Sequence, residues 1–81
     1  MISEFRYKVL ETIVKNPGIA KTEISKNLKS FSDRVYSIIR EFERLGLVYE
    51  EKKDNLRKSV FVTNKGLEIF KNLKVIYMAC K

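Results

Sequence analysis

At 81 residues the chain has room for one small domain, residues 1–81, and its 44% hydrophobic content excludes a disordered tail. With no histidine and one cysteine, the chain lacks the usual zinc ligands and the histidine that activates the nucleophile in common catalytic sites. We therefore expect no bound metal, no cofactor and no enzymatic activity. No apolar run reaches about 18 residues and no signal peptide opens the chain, which predicts no membrane span and, with the lone cysteine, a cytoplasmic location. The net charge of +7 suits a polyanionic partner, nucleic acid before an acidic membrane surface, and the alternative is a basic composition that serves solubility alone.

The first part of the chain has helical periodicity. Residues 3–15 predict helix 1 with Ser3 as its cap, and two neighbouring apolar rows cover more than half of its circumference. Packing on one small core requires a narrower stripe, so we expect part of this helix to contact a second chain. After the break at residues 16–18, Ile19 and Ala20 predict a very short strand, and residues 21–28 predict a short helix 2.

A single apolar stripe marks the third helix, which we predict over residues 31–45. Ser30 and Ser32 are both candidate N-caps, with Asp33 three residues after Ser30 as in a capping box. Gly46 ends the helix, where a left-handed cap is usual. The stripe consists of Phe31, Val35, Ile38, Ile39, Phe42 and Leu45.

The apolar period then changes from 3.6 to 2 residues. Residues 47–51 and 59–63 predict two strands, and the basic loop 52–58 between them contains the turn-forming pair Asp54-Asn55. The sequence therefore predicts a β-hairpin with a basic tip.

The last predicted helix, residues 64–79, is capped by Thr63 or Asn64 and is apolar almost all round. Such a helix needs cover on every side, and a second copy of the chain supplies it most economically, so we expect a dimerisation helix. Cys80 follows it as a free thiol, with a bridge between the Cys80 residues of two chains as the alternative. The expected dimer contacts are Phe5, Tyr7, Val9 and Leu10 of helix 1, with Ile69, Phe70, Leu73, Ile76 and Tyr77 of the last helix.

The order helix, short strand, helix, turn, helix, hairpin, helix resembles a winged helix-turn-helix protein. Residues 22–28 are similar to the first helix of its helix-turn-helix, residues 35–48 to the recognition helix running into the wing, and residues 62–68 to the junction after the wing. Ala20 and Lys29 depart from the family, which often has a capping Ser or Thr and a turn glycine there. The resemblance covers almost the whole chain and is nearest to MarR- and PadR-type and to small archaeal or archaeal-virus transcriptional regulators. It implies a mainly α fold with a small β-hairpin (α+β), a homodimer and binding to double-stranded DNA.

In such a protein the polar face of helix 3 turns toward the major groove, and its N-terminal half reaches the bases. The alternative is a solvated helix face, with Asp33 serving only as a capping acid. The side chains that we expect at base edges are Asp33, Tyr36, Ser37 and Arg40.

Cations and hydroxyl groups around helix 3 are expected on phosphate or in the minor groove. For Arg34 and Arg44 the alternative to phosphate binding is an ion pair with Glu41 or Glu43. For the wing lysines the alternative is that they protect the edge of the sheet from pairing with another chain. The full set is Lys21, Thr22, Lys26, Lys29, Ser32, Arg34, Arg44, Lys52, Lys53, Arg57 and Lys58.

Taken together, the sequence predicts a homodimeric, sequence-specific DNA-binding regulator. Its symmetry predicts half-sites about one helical turn, roughly 34 Å, apart. A winged helix used only for protein–protein contact is the main alternative, because the fold does not fix its use. RNA binding is a further alternative, which a preference for RNA over duplex DNA would reveal.

Overall fold

The computed structural model describes residues 3–52 and 58–79, the last three without their side chains. All the predicted elements are present in the predicted order, which confirms a mainly α winged helix with a small β-hairpin. The elements are helix α1 (Glu4–Lys15), strand β1 (Ile19–Ala20), helices α2 (Lys21–Asn27) and α3 (Ser32–Arg44), strands β2 (Val48–Lys52) and β3 (Lys58–Val62), and helix α4 (Asn64–Ala79).

Helix α1 lies at the centre of the core. Ser3 has an extended backbone and its hydroxyl accepts a hydrogen bond from the Arg6 amide at 3.2 Å, which confirms the predicted cap. The wide apolar face of α1 is covered from within the chain, by α3, α4 and β3. Val9 and Leu10 have no exposed surface, and the Tyr7 ring stacks on Phe70 with 5.4 Å between centroids. The expectation that the width of the α1 apolar face implies a second chain is therefore wrong for Tyr7, Val9 and Leu10.

Helix α3 buries one stripe, as predicted, but the stripe is shorter at both ends. Val35, Ile39 and Phe42 are buried, whereas Phe31 is 86% exposed and Leu45 is 50% exposed. Phe31 occupies the N-cap position with an extended backbone (φ −67°, ψ 138°), so its side chain does not continue the helical row. Within the described residues no side chain caps α3, so neither of the two predicted serine caps is formed.

Two left-handed residues end the helices of the helix-turn-helix. Lys29 follows α2 with φ 50°, so a lysine adopts the conformation that a turn glycine takes at low cost. Gly46 follows α3 with φ 76°, and its amide binds the Glu43 carbonyl while the next amide, of Leu47, binds the Phe42 carbonyl. This is the Schellman arrangement, and it confirms the predicted glycine cap.

The sheet has three antiparallel strands in the order β1-β3-β2. Ile19 of β1 lies opposite Val60 of β3, and the hairpin register pairs Tyr49 with Phe61. Each hairpin strand is shifted by one residue from its predicted range, and residues 53–57 of the loop lie outside the described residues.

Thr63 joins the wing to α4. Its hydroxyl donates to the Gly46 carbonyl at 2.7 Å and accepts from the Gly66 amide at 3.0 Å. Its own amide donates to the Leu47 carbonyl at 2.9 Å. Of the two predicted caps it is therefore Thr63, rather than Asn64, whose side chain binds the first turn of α4, and it also fixes that turn on the end of α3.

Candidate nucleic-acid interface

The outer face of α3 is set by the stripe that it buries. Because Val35, Ile38, Ile39 and Phe42 face the core, the opposite side is exposed to solvent. The exposed polar side chains on that side are Asp33, Ser37, Arg40 and Arg44, and Tyr36 at the flank is half-buried.

The acidic residue Glu41 of α3 is neutralised by α1. Arg6 donates from both Nε (3.2 Å) and Nη2 (3.1 Å) to one carboxylate oxygen of Glu41. Arg34 lies over the ring of Phe5, with its guanidinium carbon 4.0 Å from the centroid, as in a cation–π contact. The predicted alternative, in which Arg34 or Arg44 pairs with Glu41, is therefore wrong. Arg44 makes no ion pair within residues 3–52 and 58–79.

Lys21, a predicted phosphate contact, is occupied within the chain. Its ammonium forms an ion pair with Glu50 of β2 and lies 5.6 Å from the centre of the Tyr36 ring. Lys58 of β3 approaches the other oxygen of the same carboxylate at 3.8 Å. Lys21 therefore links the start of α2 to the wing through Glu50, and its predicted contact with phosphate stays a prediction.

Glu43 and Glu50 share a hydrogen bond where the end of α3 meets β2. Burial, this hydrogen bond and the charge of Glu50 raise the pKa of Glu43 above its usual value. Burial also acts to raise the pKa of Glu50. This effect is outweighed by hydrogen bonds from Lys21 and Glu43 and by the positive charges of Lys21 and Lys58, so the pKa of Glu50 is lowered. Glu50 is therefore the ionised member of the pair, and Glu43 titrates at higher pH than an ordinary glutamate.

The turn between α2 and α3 forms a shallow groove with a basic and hydroxyl-rich rim. Ser25 is the buried member, and its hydroxyl donates to the Thr22 carbonyl at 2.9 Å, so it needs no external partner. Phe31 is the one large apolar side chain in this lining. Its exposure is not evident from the sequence because its spacing to Val35 fits the core stripe, although the flanking serines mark a helix boundary. The groove is lined by Thr22, Ser25, Lys26, Lys29, Ser30, Phe31 and Ser32.

The described end of the wing presents two opposed cations. Lys52 and Lys58 pair across the two strands, and both are exposed. Like charges directly opposite each other destabilise a hairpin slightly, and a bound anion relieves that repulsion. Lys53 and Arg57, the other predicted wing contacts, lie outside the described residues.

The predicted dimer contacts divide into buried and exposed sets. Tyr7, Val9, Leu10 and Phe70 are buried in the chain's own core and leave no surface for a second copy. Phe5, Ile69 and Leu73 are half-buried, and Ile76 is 51% exposed beside Val75, which is 70% exposed. The side chain of Tyr77 and all of Cys80 lie outside the described residues.

Two other kinds of feature are absent from residues 3–52 and 58–79. None of the helices in that part of the chain combines the length and apolar character that crossing a membrane requires. The same residues bring no three potential metal ligands together.

Neither a protein-family model nor a curated protein sequence matches the chain. Its structure, however, matches solved winged-helix proteins. The transcriptional regulator SlyA superimposes on 95% of the chain with a TM-score of 0.86 at 20% identity. MepR of S. aureus in complex with DNA superimposes on 98% with a TM-score of 0.85 at 22% identity. FabT of Streptococcus pneumoniae in complex with DNA does so on 98% with a TM-score of 0.82 at 23% identity.

These neighbours are MarR-family transcriptional regulators, and the chain spans 56%, 60% and 57% of their lengths, respectively. At such low identity the likeness establishes the fold, which is the predicted winged helix-turn-helix. The neighbours do not support the predicted archaeal or viral origin, which stays a prediction.

Proposed function

We propose that the chain binds double-stranded DNA and regulates transcription, with α3 in the major groove. The observation that carries the proposal is the exposed polar face of α3, where Arg40 and Arg44 make no ion pair in the described part of the chain. Glu41 lies beside them in the same surface hollow, but its carboxylate is paired with Arg6. Two of the neighbours with this fold were solved in complex with DNA, which supports the proposal. The role is that of a regulator rather than an enzyme, in the cytoplasm where it meets DNA.

The arrangement gives each exposed group a distinct task. Arg40 has the geometry to bind guanine O6 and N7, and Ser37 can bond to either a donor or an acceptor on a base edge. Asp33 and Tyr36 complete the proposed base contacts. The proposed phosphate contacts are Thr22, Lys26, Lys29, Ser32, Arg34, Arg44, Lys52 and Lys58.

We also propose that two copies associate through α4. Val75 and Ile76 are exposed apolar side chains near the end of this helix, and Leu73 beside them is half-buried. Burying this surface on a second copy removes apolar area from water and places two recognition helices about one turn of DNA apart. Sedimentation of the wild type and of Ile76→Glu tests this, since the charged variant is expected to sediment as a monomer. A wild type that is monomeric at all concentrations contradicts the dimer.

The DNA proposal is tested by fluorescence anisotropy with a mixed-sequence duplex, at salt concentrations from about 50 to 200 mM. Affinity is expected to fall steeply with salt because phosphate contacts release counterions. Lys26→Ala should reduce the log–log slope by about one, whereas the matched control Lys8→Ala on α1 should leave it unchanged. Arg40→Ala should reduce the affinity for a selected DNA sequence more than the affinity for a random-sequence duplex.

Absence of binding at the lowest salt by correctly folded protein would refute the DNA proposal and favour the protein-interaction alternative. Tighter binding to duplex RNA or RNA loops than to duplex DNA would refute it in favour of RNA recognition.

A further inference from the structure

Phe31 is an aromatic side chain that the fold leaves in solvent. It is 86% exposed at the N-cap position of α3, where it neither packs in the core nor caps the helix. Serine, threonine, aspartate or asparagine at this position would bind the free amides of the first turn. The phenylalanine therefore has neither of the two stabilising roles open to this position, and its ring is available to a contact outside the chain.

The surroundings of Phe31 indicate which kind of partner it meets. It shares a shallow groove with Lys26 and Lys29 and with the hydroxyl groups of Thr22 and Ser32. Such a rim suits phosphate oxygens and does not suit an apolar protein surface. The ring also precedes the first residue of α3, and in helix-turn-helix proteins this end of the recognition helix approaches the base edges.

The major groove offers one apolar group that a phenyl ring can contact, the C5-methyl of thymine. We propose that Phe31 contacts this methyl group and makes thymine part of the recognised sequence. The inference rests on the proposed function, because it requires α3 to enter the major groove.

The position along α3 predicts where that thymine lies. Ser37 is six residues further on, or about 9 Å at roughly 1.5 Å per residue. One base step along a strand is about 3.4 Å, so the thymine is expected two to three base pairs from the base that Ser37 contacts. Phe31 thus reads an apolar feature beside the hydrogen-bonding groups read by Ser37 and Arg40.

The experiment replaces thymine by uracil, which removes only the methyl group. Duplexes selected by the full chain from a random library are resynthesised with a single dT→dU change at each thymine, and affinity is measured by anisotropy. For the wild type, one such change in one half-site is expected to weaken binding about three- to fivefold, the effect of one buried methyl group. In Phe31→Ser the same change is expected to have no effect.

Phe31→Ser replaces an exposed ring by a good N-cap, so the variant is expected to stay folded, and circular dichroism verifies this. Leu45→Ser is the matched control, because it removes another exposed apolar side chain, one with no proposed contact to DNA or to a second copy, and should keep the uracil effect.

The inference is overturned if no thymine is sensitive, or if wild type and Phe31→Ser lose equal affinity at the same thymine, while duplex binding persists. It is also overturned if Phe31→Ser binds DNA normally but alters the oligomeric state, since Phe31 would then be a protein contact. Failure of the wild type to bind any duplex instead refutes the proposed function itself.

Discussion

Gly66→Ala provides a sharp test of how α4 is fixed to the wing. Gly66 is buried in the first turn of α4, where its backbone passes directly over Leu47. A Cβ atom added there lies 2.8 Å from Val62 Cγ2 and 2.9 Å from the Leu47 carbonyl carbon, and closer still to the Leu47 carbonyl oxygen. Since Cβ atoms do not pack below 3.0 Å from other heavy atoms, the first turn of α4 has to move away from the strand.

The size of the effect follows from opposing contributions. In an exposed helix, replacing glycine by alanine stabilises by about 1 kcal/mol. Overpacking a tight contact costs about 1–3 kcal/mol. Moving α4 also stretches the hydrogen bonds that Thr63 makes to Gly46 and Gly66, each with a net value of about 1 kcal/mol. We therefore expect a net loss of about 3 kcal/mol, or a fall in Tm of roughly 10–25 °C.

Urea denaturation and thermal melting measure this loss, with Gly46→Ala as the control. A Cβ atom added at Gly46 meets no atom of the described residues within 4 Å beyond its chain neighbours. That variant therefore loses only the cost of a left-handed alanine (φ 76°), about 1–2 kcal/mol. Gly66→Ala should be the less stable of the two variants. A Gly66→Ala protein as stable as the wild type would refute the close packing of α4 on Leu47.

Four further predictions concern the polar contacts. The Arg6–Glu41 pair is about 42% and 34% exposed, so a double-mutant cycle of Arg6→Met with Glu41→Gln should give a coupling of about 0.5–1 kcal/mol in urea denaturation, and zero coupling contradicts the pair. Because the folded-state pKa of Glu43 is raised above 4.5, the wild type should lose stability as pH rises from about 4.5 toward neutral, and Glu43→Gln should lose less in thermal melts over that window. Glu50, whose pKa is lowered, contributes stability above pH 4.5 that is lost in acid, so melts of Glu50→Gln should show a weaker acid loss. Thr63→Val should lower the free energy of unfolding by about 1–2 kcal/mol, and Thr63→Ser, which keeps the hydroxyl, should lose less.

The parts of the fold that the sequence predicts well depend on local physics. The stripe of α3 has the helical period, and the left-handed end at Gly46 favours a residue without a Cβ atom. The hairpin follows from a change of period around an Asp-Asn turn signal. Each of these signals lies within a few neighbouring residues, so no knowledge of the tertiary arrangement is needed.

The errors arise where an apolar or charged residue meets something distant in sequence. Periodicity marks Leu10 as apolar but does not say that α3, α4 and β3 of the same chain cover it, so a second copy is the wrong partner for this residue. Arg6 and Glu41 are 35 residues apart, and their pairing depends on how α1 crosses α3. Phe31 fits the α3 spacing, but the helix begins one residue later.

The basic face proposed for DNA binding depends on which neighbour each acid meets, and not on the composition of α3. Residues 32–44 contain three acids and three arginines, so the helix has no net charge. Glu41 is drawn to Arg6 of α1, and Glu43 turns toward Glu50 of the wing. With Glu41 and Glu43 both paired, the outer face carries Arg40 and Arg44 against the single exposed acid Asp33, so it keeps a net positive charge. Net charge alone therefore predicts that the chain attracts polyanions, whereas the tertiary packing favours α3 as the surface that binds them.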